Sequence, residues 1–185
     1  MRIAIAGGIG SGKSEALKVA REMGAATLSA DEINAELLLD ADYILKISRA
    51  FPQAVVDGKV NRKALAQIVF SDEEARNKLN LIAHPLILKR IKEDMRSPLV
   101  VEMPLLIESG AAKLFDEIIF VKAPVLKRLK RLKRRGLAYG QAIMRMRAQT
   151  SEKRLAQIAT RVLTNRGNID GLRKSARATF EELFK

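Results

Sequence analysis

Apolar positions open the chain as a block. Residues 2–6 read RIAIA, short and apolar enough for a buried strand, and glycines follow at once. From 13 to 23 the apolar residues recur at amphipathic helical spacing, and Gly24 ends that run. Residues 26–28 predict a second short strand. From 31 to about 95 the pattern turns helical, through ADEINAELLL, DADYILKISRAF, NRKALAQIVF and SDEEARNKLNLIAHPLILKRIKEDM, with breaks expected at Pro52, Gly58 and Pro85. Asn61 and Ser71 are the expected helix starts, Ser71 forming a capping box with Glu74. PLVVE (98–102) and EIIFVK (117–122) read as strands. Helical segments follow at 125–135 and about 140–147, then a strand RVLT (161–164) and a closing helix near 169–184.

Strands alternating with helices predict an α/β fold with a parallel sheet. The helical stretch 31–95 interrupts that alternation and reads as an insert at one end of the sheet. With 185 residues the chain suffices for one well-buried core and is short for two ordinary domains. No apolar run approaches the ~20 residues of a membrane span, and the five apolar-rich residues at the start do not read as a signal peptide. Cysteine is absent, which removes thiolate chemistry and disulfides and suits a reducing cytoplasm. One histidine leaves no room for multi-histidine metal sites. The net charge of +13 is unevenly spread: residues 122–151 hold ten of the 34 Lys and Arg and none of the 21 Asp and Glu.

Gly7, Gly12, Lys13 and Ser14 satisfy G-x-x-x-x-G-K-[ST] between the first strand and the first helix. Glycines at Gly8, Gly10 and Gly12 let the backbone wrap a phosphate, and the amides from Ser11 to Glu15 can point at it from the helix N-terminus. Lys13 would reach the terminal phosphates of ATP and Ser14 would enter a Mg²⁺ shell. Glu15 stands where a second hydroxyl is common; its N–H can still contribute while its side chain turns to solvent.

Around the loop several readings stand side by side. Asp31, at the end of the second strand, can take a proton from an attacking hydroxyl, hold Mg²⁺ through water, or favour a helix N-terminus that Ser29 and Glu32 would box. Glu102, at the tip of PLVVE, fits the Mg²⁺ shell or caps the next turn, and Glu108 is a weaker candidate. The basic run KRLKRLKRRG (127–136) aligns Leu126, Leu129 and Leu132, with cations elsewhere. It reads as a solvated face, a surface for nucleic acid or anionic membrane, or a lid whose Arg131, Arg134, Arg135, Arg145 and Arg147 close over phosphates. His84-Pro85 reads as helix punctuation.

In order, GGIGSGKS, SADEI (29–33), VNRKALAQIVFSDEEARNKLNLIAHPLI (60–87), VVEMPLLIESG (100–110), RLKRRGL (131–137), RMRAQTSEKRLA (145–156) and VLTNRG (162–167) resemble the dephospho-coenzyme A kinase family over nearly the whole chain. The resemblance implies a P-loop core like that of nucleoside-monophosphate kinases, with a five-stranded parallel sheet. It implies a nucleotide-binding core at 1–30, 96–124 and 151–185, a helical acceptor-binding insert at 31–95 and a basic lid at 125–150. The implied reaction moves the γ-phosphoryl group of ATP, with Mg²⁺, to the ribose 3′-hydroxyl of dephospho-coenzyme A. By position Asp31 matches the general base, Lys13 and Ser14 the phosphate and Mg²⁺ positions, Arg131 and Arg135 lid arginines, and Asn165 the loop flanking adenine. A small-molecule partner, no membrane, and a cytoplasmic monomer or weak homo-oligomer go with it.

Departures mark a diverged member. Where the family commonly reads D-A-D-x-I-A-R, this chain has Ser29-Ala30-Asp31-Glu32-Ile33-Asn34-Ala35. The missing arginine at Ala35 should weaken acceptor binding unless Arg62 or another cation substitutes. Arg128 stands where glutamine is usual, and Thr160 where an acid is expected. Two alternatives remain: a P-loop kinase with another hydroxyl acceptor, and a P-loop protein that binds nucleotide or nucleic acid. Two Tyr, six Phe and no Trp weigh against a stacking platform for single strands.

Overall fold

The computed structural model describes residues 1–147, 149 and 152–185. Ala148, Thr150 and Ser151, which belong to the RMRAQTSEKRLA motif, lie outside the described residues. The chain divides into two compact units, Met1–Ser29 with Asp94–Lys185, and Ala30–Glu93. β1 (Arg2–Ala6), α1 (Lys13–Glu22) and β2 (Ala26–Ser29) begin the first unit. The second unit comprises α2 (Ala30–Leu37), α3 (Ala41–Ala50), β3 (Val55–Val56), β4 (Lys59–Val60), α4 (Arg62–Ser71) and α5 (Glu73–Glu93). The first unit resumes with β5 (Leu99–Glu102), β6 (Glu117–Lys122), α6 (Val125–Arg134), α7 (Tyr139–Arg147), α8 (Glu152–Ile158), β7 (Arg161–Thr164) and α9 (Ile169–Leu183).

The α/β expectation is borne out. Five parallel strands run in the order β2-β5-β1-β6-β7. From β1 the chain crosses to the edge strand β2, returns to β5 beside β1, and then passes to β6 and β7 on the other side of β1, so the direction of winding reverses between β1 and β5. Ligands of open α/β sheets bind at the carboxyl ends of such strands. The register sets Ile5 of β1 and Ser29 of β2 on either side of Glu102. One face of the sheet, Ile3, Ile5, Val100, Ile119, Val121 and Leu163, packs on Ala16, Leu17 and Ala20 of α1 and Leu172, Ala176 and Phe180 of α9. The alternate residues Ala4, Val101, Ile118 and Phe120 are buried as well, as period-2 alternation requires of a strand covered on both faces. This anchors the end of β1, from which the glycine loop departs.

Four expectations are corrected. α5 runs through Pro85 without ending. Pro85 and Leu81, whose carbonyl loses its usual donor, are both exposed on that helix, so the interruption costs little burial. Ser71 does not start α5. Its hydroxyl donates back to Gln67 O and Ile68 O at the end of α4, while Asp72 Oδ1 caps α5 by accepting from Glu74 N and Ala75 N. Stretch 31–95 also contains the short β3–β4 hairpin, turning through Asp57 and Gly58. Finally, the leucine stripe and the cations of α6 do not divide cleanly into an inner and an outer face. Leu126 is 78 % exposed, whereas Arg128 is buried with Leu132. Among the described residues no helix is long and apolar enough to cross a membrane.

Candidate active site

The loop after β1 turns into α1 at Gly12, whose φ of 112° suits only glycine. A Cβ there would also stand 2.6 Å from Asn165 Nδ2 and 2.7 Å from Leu172 Cδ2. Lys13 folds back over the loop, buried, with Nζ donating to Gly8 O at 3.4 Å and lying 3.9 Å from Glu102 Oε1. Ser14 Oγ donates to the same carboxylate oxygen at 3.2 Å. Lys13, Ser14 and Glu102, the last a candidate from its place at the tip of a core strand, are thus brought together. Glu102 is buried, and a buried carboxylate needs such partners.

The outer side of the loop is held by α6 and by the turn after β7. Arg131 Nη1 donates to Gly10 O at 2.9 Å and to Ser11 O at 3.2 Å, while Nη2 donates to Asn165 Oδ1 at 2.7 Å. Asn165 Nδ2 donates in turn to Ser11 O at 2.7 Å. Asn165, matched by resemblance to an adenine-flanking position, here braces the loop backbone. Burial, then the nearby Arg135 charge, lowers the Arg131 pKa from the ordinary guanidinium value. Arg135 itself is exposed at the end of α6. The Ser11 hydroxyl is buried without a partner among the described residues.

Sequence reasoning marked Arg128 only as a departure from the family pattern and missed its contact with the loop. Arg128 is buried, its Nε donates to Ile9 O at 2.8 Å, and its Nη1 pairs with Glu152. The available signal was the spacing of Arg128 and Leu132, one helical turn apart, but a basic helix disguises a buried cation. Gln149 was also missed: its Oε1 accepts from Ile9 N at 2.7 Å. The expectation that Glu15 turns to solvent is corrected. Its carboxylate pairs with Lys18 at 2.9 Å and with Arg173 at 3.6 Å, which balances the acid near the loop.

Asp31 lies exposed in the first turn of α2, two residues beyond the end of β2. In the same unit Arg62 Nη2 donates to Ala35 O at 3.1 Å, so a guanidinium reaches the main chain at the position that lacks an arginine. Glu108 is exposed in the loop after β5, and His84 lies within α5. No group of three or more His, Cys, Asp or Glu gathers as a metal site among the described residues. The hydroxyl of Ser14 beside the Glu102 carboxylate is nonetheless a hard-oxygen pair. It fits Mg²⁺, which takes most of its shell from phosphates and water.

Comparison with known proteins shows which family the chain resembles. Residues 1–171 match the dephospho-CoA kinase family. The dephospho-CoA kinase of Thermus thermophilus is 37% identical over 186 residues, covering 98% of this chain and 91% of that protein. That of Moorella thermoacetica is 38% identical over 194 residues, with the same coverage of 98% and 91%. Among solved structures, a Thermus thermophilus protein superposes with a TM-score of 0.82 at 34% identity, covering 99% and 97% of the two chains. The dephospho-CoA kinase from Campylobacter jejuni gives 0.71 at 26% identity, covering 98% and 96%. A shikimate kinase from Acinetobacter baumannii, at 0.63 and 13% identity over 99% and 92%, shares the fold.

Proposed function

This chain belongs to the dephospho-CoA kinase family, and from that premise we propose roles for its residues in moving the ATP γ-phosphoryl group to dephospho-coenzyme A. The family match carries the reaction itself: an ATP-dependent phosphorylation of the ribose 3′-hydroxyl that yields coenzyme A and ADP. The other kinase acceptor and the nucleic-acid reading are not favoured. One observation carries the assignment of roles: the convergence of Lys13, Ser14 and Glu102 at the mouth of a loop whose outer carbonyls are tied down.

In this reading the loop amides and Lys13 hold the ATP phosphates, and Ser14 and Glu102 hold Mg²⁺. The ion offsets phosphate charge. Asp31 accepts the proton of the 3′-hydroxyl as the new O–P bond forms and the bond to the ADP oxygen breaks. Arg131 uses three N–H groups on the loop and Asn165, which leaves two of the five guanidinium donors for charge on the moving group. Arg135 adds a second cation, and residues 125–150 act as the lid. Residues 31–95 bind the acceptor, with Arg62 at Ala35 taking the part of the absent arginine. With no cysteine to oxidise, a reducing cytoplasm suits the enzyme, as a monomer or weak homo-oligomer.

ADP release from Mg-ATP with dephospho-coenzyme A as acceptor tests these roles. Asp31→Asn should lower kcat about 10²–10⁴-fold and leave ATP affinity intact. Arg62→Ala should instead raise KM for dephospho-coenzyme A about tenfold. Full turnover in the first variant would reduce Asp31 to a helix-terminal charge, and an unmoved KM in the second would remove Arg62 from the acceptor site.

A further inference from the structure

Arg128 is 4 % exposed, rare for an arginine. A buried guanidinium is costly unless it is paired and hydrogen-bonded, and Arg128 is both, through Glu152 and Ile9 O. Burial lowers its pKa, and the Glu152 carboxylate opposes that shift. The guanidinium lies so close to the loop that any side chain at Gly8 would collide with it. Ile9 is therefore fixed at both of its backbone groups, its carbonyl by Arg128 and its N–H by Gln149.

A peptide unit is planar and trans, so its C=O and N–H point in opposite directions. The carbonyl of Ile9 shares a peptide unit with the N–H of Gly10. Drawing Ile9 O outward toward Arg128 obliges Gly10 N–H to face the opposite side, and that N–H has no partner among the described residues. Arg131 and Asn165 do the same to the Ser11 carbonyl, hence to Gly12 N–H. We infer that Arg128 is a positioning residue for nucleotide binding: through its Nε–H on Ile9 O it aims the Gly10 N–H at the phosphates of ATP. Glu152 holds the guanidinium in place for that task. The inference rests on the loop being the ATP site.

The atom that matters can be isolated. In glutamine the side-chain amide nitrogen occupies the same place along the side chain as arginine Nε. In methionine and lysine a carbon occupies it. Arg128→Gln removes the charge and keeps the donor, Arg128→Met removes both, and Arg128→Lys keeps the charge and removes the donor. ATP affinity by calorimetry, without acceptor, is the readout, so the acceptor's identity does not enter. The expected result is a Kd within about threefold of native for Arg128→Gln, and one raised about tenfold for Arg128→Met and Arg128→Lys. KM for dephospho-coenzyme A should stay unchanged in all three. If Met fails to fold, Gln against Lys carries the same contrast. Equal losses in Gln and Lys, or no loss in Lys, would overturn the positioning role. Native protein that fails to bind ATP would overturn the site reading instead.

Discussion

Tyr43 is buried at 1 % exposure, and its hydroxyl donates to Asn34 Oδ1 at 3.0 Å. Burial pushes the phenol from 10.0 up to about 12, because the phenolate would lose its hydration. The folded state thus favours the neutral ring. That contribution to stability is fully present below pH 10.0 and is lost as the pH rises through about 12. The chain has two tyrosines and no tryptophan, so tyrosinate absorbance reads them cleanly. Subtracting the titration of a Tyr43→Phe variant from that of the native protein should leave one step at about 12. A difference step near 10.0 would contradict the burial of this ring. At this scale the sequence was legible where chemistry is local. Lys13, Ser14 and Gly12 are fixed by a loop of eight residues, and the motif contains them all. Arg128, Gln149 and Asn165 meet the loop across 119, 140 and 154 residues of chain. No periodicity in one sequence reports contacts of that span.

Helices and strands were largely legible because a helix that buries one face records it in apolar spacing, while core strands covered on both faces appear as short unbroken apolar runs. The misreadings share a cause: local rules that tertiary context can override. Proline was read as an end to α5, yet the helix continues to Glu93, with Ala83, Ile87 and Ile91 buried on its inner side. Those contacts outweigh a lost hydrogen bond, since proline inside a helix costs about 3 kcal/mol. Because Pro85 is exposed, Pro85→Ala should restore the bond without removing packing. Urea unfolding should show a gain of about 1–3 kcal/mol, with an unchanged slope. A loss of stability would mean that the ring or a bend it imposes is required. The cap of α5 was misplaced by one residue for a related reason. Ser71 and Asp72 are both capping residues by type, but the Ser71 hydroxyl is already spent on carbonyls at the end of α4. In α6 the leucine spacing was read correctly as a stripe, but the stripe is turned so that Arg128 faces inward and Leu126 outward.

At the scale of the whole molecule the uneven charge becomes a rate argument. Lys127, Lys130, Lys133, Arg134 and Arg135 are exposed along or just past α6, with no acid in that segment. Such a field attracts polyanions, and both ATP and dephospho-coenzyme A are polyanions. It also attracts nucleic acid, which is why the sequence alone left both readings open; the family match, not the charge, favours the kinase. The two partners scale differently with salt. A small nucleotide meets the field mainly during approach, and salt screens that field over about 8 Å at physiological strength. Nucleic-acid binding falls steeply on a log–log plot, by almost one unit for each phosphate neutralised. Raising salt from about 0.05 to about 0.5 M should therefore lower kcat/KM for ATP only several-fold and leave kcat nearly constant. A single-stranded oligonucleotide should not inhibit the kinase at 0.15 M salt, where the screening length is about 8 Å. Inhibition there by micromolar oligonucleotide, vanishing steeply with added salt, would show that the basic helix serves a phosphate backbone as well. If salt instead lowers kcat and leaves KM alone, the exposed cations of α6 act at the transferring phosphoryl group together with Arg131, and not in capture, and Lys127, Lys130 and Lys133 become the first residues to replace.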